Sequence, residues 1–268
     1  MLLRSCAAIA LLCAVPACAI NITDSAAERA FDTRGDRDPG PIETRDLDVS
    51  DFQSIELAGC DVVDVLFGLR FAVEVTGATR NLDTLSAKVS GETLKLRRTA
   101  DSCNGNARGN RIAITMPTLR AVTISGAGQI AVAPLIEDRF EARLSGAGKL
   151  DMSGVQTIET RVFVDGASEV KLAAVDSDRI AFELSGAAEI DAEGQADQLA
   201  IQSTGASEID THALAAPTLA VSASGIAKVR ARADRTAAIT ASGMATVKVT
   251  GGAVCTINSS GDADIFCS

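Results

Sequence analysis

The chain has 268 residues, a mass of 27.5 kDa and a formal net charge of −10 at pH 7. An acidic chain lacks the clustered Lys and Arg that phosphate contacts require, so nucleic acid and anionic membrane surfaces are disfavoured as partners. With no Trp, no Tyr and one His, the sequence excludes a multi-His metal site and offers few aromatic platforms for sugars. The 47% hydrophobic content predicts a folded protein with a sizeable core.

Residues 1–19 read as a cleaved signal peptide. Arg4 precedes a short apolar stretch, and Ala17-Cys18-Ala19 is a small-x-small cleavage signature, which predicts cleavage after Ala19. The alternative is lipoprotein processing at Cys18. Either way we expect an exported protein, in the periplasm, on the outer surface or secreted, with no transmembrane segment in the mature chain.

Residues 20–48 mix charges with Gly and Pro and predict a flexible charged linker. The domain is then expected over 49–268. Its first part, 49–118, contains strand-like segments and a degenerate corner at Ala58-Gly59-Cys60, and 99–110 is a predicted loop. Because an open solenoid end must be covered, 49–118 is the expected N-terminal β cap with the first coils.

A glycine-centred unit of the type Ser-Gly-Ala-Gly repeats through residues 119–268. The spacings between successive unit glycines are 20, 20, 20, 19, 20, 18 and 18 residues. Because regular self-similarity at this period marks a repeat architecture, these glycines are the predicted structural corners. They are Gly126, Gly146, Gly166, Gly186, Gly205, Gly225, Gly243 and Gly261.

Positions four residues before and four residues after each corner glycine are apolar in every unit, whereas positions three and five after it are mostly polar. Alternation with period two predicts strands on both sides of the corner. A unit of about 20 residues suits one coil of a parallel β-solenoid, which predicts an all-β fold of about eight coils of 18–20 residues. An antiparallel meander with a hairpin at each corner is the alternative.

Removal of the signal peptide leaves four cysteines, and an exported protein encounters oxidising conditions. Three pairings are open, as are four buried free thiols. Cys255 and Cys267 lie six residues before and after Gly261, in columns that are often apolar. They would face each other across the last coil, which predicts a Cys255–Cys267 disulfide and leaves Cys60 to pair with Cys103.

Charged residues follow the corners in outward columns and form the candidate interaction face: Glu169, Lys171, Glu189, Asp191, Glu208, Asp210 and Lys228. Stacked acidic residues repel each other and could bind a divalent cation, or they form a solvated acidic face. We predict no catalytic residue, no cofactor and no metal site. His212 is expected on the surface in a return loop.

The sequence resembles the bacterial family called putative auto-transporter adhesin, head GIN domain. The resemblance is carried by the Ser-Gly-Ala-Gly units and by three segments: Phe52 to Leu57, Leu94-Lys95-Leu96 and Met116 to Leu119. The resemblance covers roughly residues 48–266. It implies an exported, right-handed, β-helix-like solenoid, and it supplies no catalytic motif.

These observations predict a non-enzymatic exported solenoid that acts as an adhesin or associates with the cell envelope through an unknown macromolecular surface partner. One alternative is a polysaccharide-processing lyase or hydrolase on the same scaffold, with carboxylates lining a groove. The other is a purely structural envelope protein.

Overall fold

A computed structural model describes residues 40–98, 103 and 109–268. Strands make up 74% of the described residues and helix 3%, so the all-β prediction is confirmed. The expected signal peptide lies outside the described residues.

The N-terminal part carries short strands and one short helix: β1 (Ile42–Asp46), β2 (Ser54–Gly59), β3 (Val62–Phe67), β4 (Ala72–Ala78), α1 (Thr79–Asp83), β5 (Leu85–Ser90), β6 (Thr93–Arg98) and β7 (Arg111–Met116). The repeats supply the remaining strands: β8 (Ala121–Gly126), β9 (Gln129–Val132), β10 (Leu135–Gly146), β11 (Lys149–Met152), β12 (Val155–Gly166), β13 (Glu169–Gly186), β14 (Glu189–Gly205), β15 (Glu208–Gly225), β16 (Lys228–Ala241), β17 (Thr246–Thr250), β18 (Val254–Ser259) and β19 (Asp264–Cys267).

Successive repeats stack as parallel coils in register. The ladder β8–β10–β12–β13–β14–β15 places each corner glycine beside the glycine of the next coil, from Gly126 to Gly225. A second ladder, β9–β11–β13, joins the strands that leave the corners. Because neighbouring units pair in parallel, the antiparallel meander is excluded. The solenoid has about seven turns, close to the eight expected.

The corner requires glycine for two physical reasons. Gly186 has a φ of +106°, a backbone conformation that residues other than glycine rarely adopt. A Cβ at this position would also lie 2.6 Å from the carbonyl oxygen of Gly166 in the preceding coil. The stacked backbones therefore leave no room for a side chain at the corner.

The core consists of columns of inward-facing side chains, and the size of these side chains changes along the stack. In the earlier coils it contains large side chains such as Phe140, Leu150 and Phe182, each at most 2% exposed. Toward the C-terminal end alanine takes over, and the spacing between corner glycines falls from 20 to 18 residues. The core therefore narrows along the solenoid. The buried alanines are Ala216, Ala223, Ala227, Ala231, Ala233, Ala237, Ala241 and Ala245.

The degenerate corner at Gly59 is a true corner. β2 pairs in parallel with β8 so that Gly59 lies beside Gly126, and β3 pairs in parallel with β9. β6 and β7 then pair in parallel with the other sides of β2 and β3. The order of coils in space is therefore β6/β7, β2/β3, β8/β9, which differs from the order in the chain.

Antiparallel strands lie over this end of the solenoid. β4 pairs with β7 and β1 pairs with β4, while β5 pairs with β6. The outermost strands carry charges, with Glu43 and Arg45 on β1 and Lys88 on β5. Charged edge strands discourage further strand addition.

Two expectations about segment boundaries change. The linker was expected to run to residue 48, but residues 42–46 form β1 because alternate backbone groups of this charged segment pair with β4. The part of that linker before residue 40 lies outside the described residues, as does most of the predicted loop at 99–110.

Both predicted disulfides form. Cys255 pairs with Cys267 across the last coil, and Cys60 pairs with Cys103 at the opposite end of the solenoid. The prediction from the offsets around Gly261 is therefore confirmed, and each end of the stack contains a covalent link.

Candidate interaction face

The seven predicted face residues, which we call the charged ladder, are brought together by the parallel register. One column runs Glu169, Glu189, Glu208 and Lys228. A second column runs Lys171, Asp191, Asp210 and Arg230. The side chains point outward because they occupy the odd offsets after each corner, while the even offsets face the core. The columns therefore form one flat, charged surface on β13 to β16.

Cations bracket the first acidic residue of the ladder. Lys149 Nζ lies 3.1 Å from Glu169 Oε1, and Lys171 Nζ lies 3.0 Å from the same oxygen. The hydrogen bond from Lys171, followed by that from Lys149, lowers the pKa of Glu169. Lys171 belongs to the same coil as Glu169, and Lys149 belongs to the preceding coil. Neighbouring charges at this end of the ladder therefore attract each other.

Glu208 is neutralised in the same way at the other end of the ladder. Its Oε1 lies 2.9 Å from Lys228 Nζ and 3.2 Å from Arg230 Nη2. The hydrogen bond from Lys228 is the main reason that the pKa of Glu208 is lowered. The repulsive acidic column expected from the sequence is therefore relieved by basic residues one coil away.

Asp210 combines burial with several donors. Partial burial opposes its ionisation more than any single contact favours it, but hydrogen bonds from His212 and Arg230 together keep its pKa below the usual value. Arg230 Nη1 lies 2.9 Å from Asp210 Oδ2. His212 lies within β15 rather than in the predicted return loop, because β15 continues through the side where a loop was expected. It is exposed, in agreement with its predicted surface position.

The middle of the ladder is different. Within the described part of the chain, no ion pair includes Glu189 or Asp191, although Lys171 exerts an electrostatic attraction on Asp191. The centre of the face is therefore acidic, whereas at its two ends basic side chains are paired with carboxylates. Over the same residues, no group of three His, Cys, Asp or Glu side chains has a geometry that could hold a metal ion.

The grooves on the protein surface are shallow, and one of them follows the columns of the charged ladder. One groove of about 370 Å³ is lined by ladder residues, including Lys171, Asp191 and Asp210, together with His212. Among the described carboxyl groups, Asp61 has a raised pKa, and burial is the main cause. That residue is wholly buried beside Arg98, away from any open groove.

Two polar features escaped the sequence analysis. Arg98 Nη1 donates to Asp61 Oδ1 over 3.1 Å, and the backbone N–H of Asn110 donates to the same oxygen over 2.6 Å. On another side of the solenoid, the Arg143 guanidinium stacks over the Phe163 ring at 4.2 Å. The second pair could have been found, since the two residues share a column 20 positions apart. The first pair gave no such signal, because β4, α1 and β5 lie between the two coils in the chain and interrupt the period of about 20 residues.

Glycine-cornered parallel coils with a cap at one end define the class of protein: a capped β-solenoid with a charged flat face. The chain belongs to the family described as putative auto-transporter adhesin, head GIN domain, whose model matches residues 51–253. The resemblance noted from the repeats is thereby confirmed. A search of curated proteins found no match.

Solved structures support the same fold. The chain is similar to a putative lipid binding protein from Parabacteroides distasonis, with a TM-score of 0.77, 19% identity and coverage of 85% of this chain and 97% of that chain. A putative adhesin from Parabacteroides merdae has a TM-score of 0.75 and 14% identity, and one from Bacteroides fragilis has a TM-score of 0.65 and 20% identity. Both matches cover 85% of this chain and 97% of the other chain. At such identities the likeness shows the fold alone. Within the described residues, no helix has the length and apolar character needed to cross a membrane.

Proposed function

We propose that the protein is an exported, non-enzymatic solenoid that binds a macromolecular surface of the cell or its envelope through the charged ladder. The observation that carries the proposal is the in-register stacking of charged side chains on one flat face of β13 to β16. Membership of an adhesin family and the two disulfides support an exported, surface-directed role.

A flat ladder suits repeated weak contacts. Adjacent coils are spaced about 4.8 Å apart, so equivalent side chains recur at that interval along the face. A partner with charges on an extended surface could make several such contacts together, and linked weak contacts raise the overall affinity steeply. The acidic centre at Glu189 and Asp191, with cations on both sides, favours a partner that presents positive groups flanked by negative ones.

No specific observation favours the lyase or hydrolase alternative, because the surface grooves on the described residues are shallow and follow the regular columns. Binding and turnover can be separated by experiment. The purified protein is therefore expected to bind to cells or envelope fractions without cleaving the polysaccharides they contain.

The test is charge reversal at the centre of the ladder. The double substitution Glu189→Lys and Asp191→Lys should reduce the affinity of the purified protein for cells or isolated envelopes by about 30-fold, since each of the two reversed contacts costs on the order of 1 kcal/mol. The matched control is Asp178→Lys with Glu183→Lys, which changes the net charge equally at exposed sites on other faces of the same coil.

Equal loss of binding in the two double variants would show that net charge matters and the ladder does not. Unchanged binding by the ladder variant would contradict the proposed face. Turnover of a glycan that disappears on replacing one or two carboxylates would replace the binding proposal with the enzyme.

A further inference from the structure

Among the strands of the described residues, the outer edge of the last coil has no strand partner. β18 pairs with β16 and β19 pairs with β17, and within the described residues neither has a strand partner on its other side. The N–H of Ser260 donates to Ala241 and that of Asp264 donates to Ala245, both toward the preceding coil. In a parallel ladder alternate residues face opposite neighbours, so the backbone groups of Ile257 and Ile265 face the open side.

β18 lacks the features that protect strand edges elsewhere, and β19 carries a single charge, Asp264. β18 has the sequence VCTINS, with no charge and no proline, whereas the outer strands of the opposite end carry charges. Apolar side chains are also exposed here: Val254 is 75%, Ile257 49% and Phe266 60% exposed. A strand edge together with an apolar layer is typical of a surface that another strand covers.

The shape of the edge selects the kind of partner. β18 approaches the Gly261 corner and β19 leaves it, so a straight strand could pair with one of them but not both. A second copy, related by a two-fold axis through this corner, bends at the same place. That rotation lays β18 of one copy antiparallel to β19 of the other, and the reverse.

The residues match in this arrangement. Positions equally far before and after Gly261 face each other, so Ile257 opposes Ile265, and Cys255 opposes Cys267 of the second copy. These inward residues are the ones whose backbone groups are free toward the open side. On the outer side Thr256 opposes Phe266, and Asn258 opposes Asp264. We propose that the protein forms a tail-to-tail dimer in which β18 and β19 of two copies pair across a two-fold axis at the Gly261 corner.

The proposal predicts an effect that depends on the sign of charge at one exposed position. Asn258→Asp places two pairs of like charges across the interface, opposite Asp264, and should raise the dimer dissociation constant about tenfold. Asn258→Lys places opposite charges there and should lower the dissociation constant several-fold. The control is Ser222→Asp, which lies in the same column two coils away and should leave the constant unchanged.

Sedimentation equilibrium of the purified protein and the three variants measures these constants, and thermal unfolding at low concentration confirms that each variant is folded. A dimer that weakens with Asn258→Asp and tightens with Asn258→Lys supports the proposal. A monomer over the whole concentration range would overturn it. So would a dimer that is indifferent to both substitutions, or open-ended assemblies, which require a free edge at the other end.

Discussion

The two ends of this solenoid solve the same problem in opposite ways. At the N-terminal end, antiparallel strands β1, β4 and β5 close the stack over a core of large side chains, and their edges carry charges. At the other end the coils shorten, the core becomes alanine-rich, and β18 and β19 leave their outer sides without a strand partner in the described structure. A repeat protein can thus place its stability at one end and its accessible edge at the other.

The corner glycines should show this difference most strongly. Gly186→Val should destabilise the protein by about 4 kcal/mol or more, because it combines a positive φ with overlap on the preceding backbone. Gly261→Val should cost less, since a Cβ there lies 3.1 Å from Gly243 rather than 2.6 Å from Gly166. Chemical denaturation measures both, with exposed Glu189→Val as the control. Equal midpoints for Gly186→Val and Glu189→Val would contradict the stacked corner.

The disulfides should also contribute unequally. Cys60 and Cys103 are 43 positions apart, which is worth about 4 kcal/mol in the chain-entropy treatment of the unfolded state. Cys255 and Cys267 are 12 positions apart, which is worth about 3 kcal/mol.

Paired Cys→Ala substitutions, one pair at a time, should therefore lower the unfolding free energy more at the N-terminal end. Losing the second pair should also increase hydrogen exchange chiefly in β18 and β19. An increase spread evenly over all coils would argue against an independently open end.

A single inward column offers a matched comparison of burial. Ile239 and Ile257 are neighbours in register, but Ile239 is 2% exposed and Ile257 is 49% exposed. Ile239→Ala should cost about 3 kcal/mol and Ile257→Ala about 1 kcal/mol when unfolding is followed on dilute protein. Equal costs would mean that the last coil is covered even in the dilute protein.

The smallest effect concerns the charged ladder. Lys171 and Lys149 lower the pKa of Glu169 below its unfolded value, so this carboxylate stabilises the fold above about pH 4.3. That contribution is lost as the pH falls through the folded pKa. Glu169→Gln should therefore remove less than about 1 kcal/mol at neutral pH and flatten the acid limb of the stability profile. Glu189→Gln is the control, and an identical change in both profiles would contradict the role of the lysines.

Sequence reasoning reached the coils because each one repeats the same pattern. Alternation around every glycine identified the inward columns, and the positions of Cys255 and Cys267 about Gly261 were enough to predict their disulfide. The ladder residues were also predictable as neighbours, since a residue about 20 positions away lies in the next coil. Lys149 and Arg230 lie in the same columns and relieve the repulsion between the stacked carboxylates, but the predicted face did not include them.

The N-terminal end was harder to predict because its order in space differs from its order in the chain. β6 and β7 lie beneath β2 and β3, so no fixed period connects Asp61 with Arg98, 37 positions away. β1 was predicted as linker because its sequence, IETRD, is charged and lacks apolar alternation. Its strand conformation depends on pairing with β4, which a local pattern does not reveal.

Amide hydrogen exchange by NMR tests the contrast between the two ends most directly. In dilute protein, the amides of Cys255, Ile257 and Ile265 should exchange rapidly, because they face the open side of the last coil. Those of Ile239 and Val247, one coil inside in the same columns, should be strongly protected. Protection of Ile257 equal to that of Ile239 in the dilute monomer would contradict an open C-terminal end.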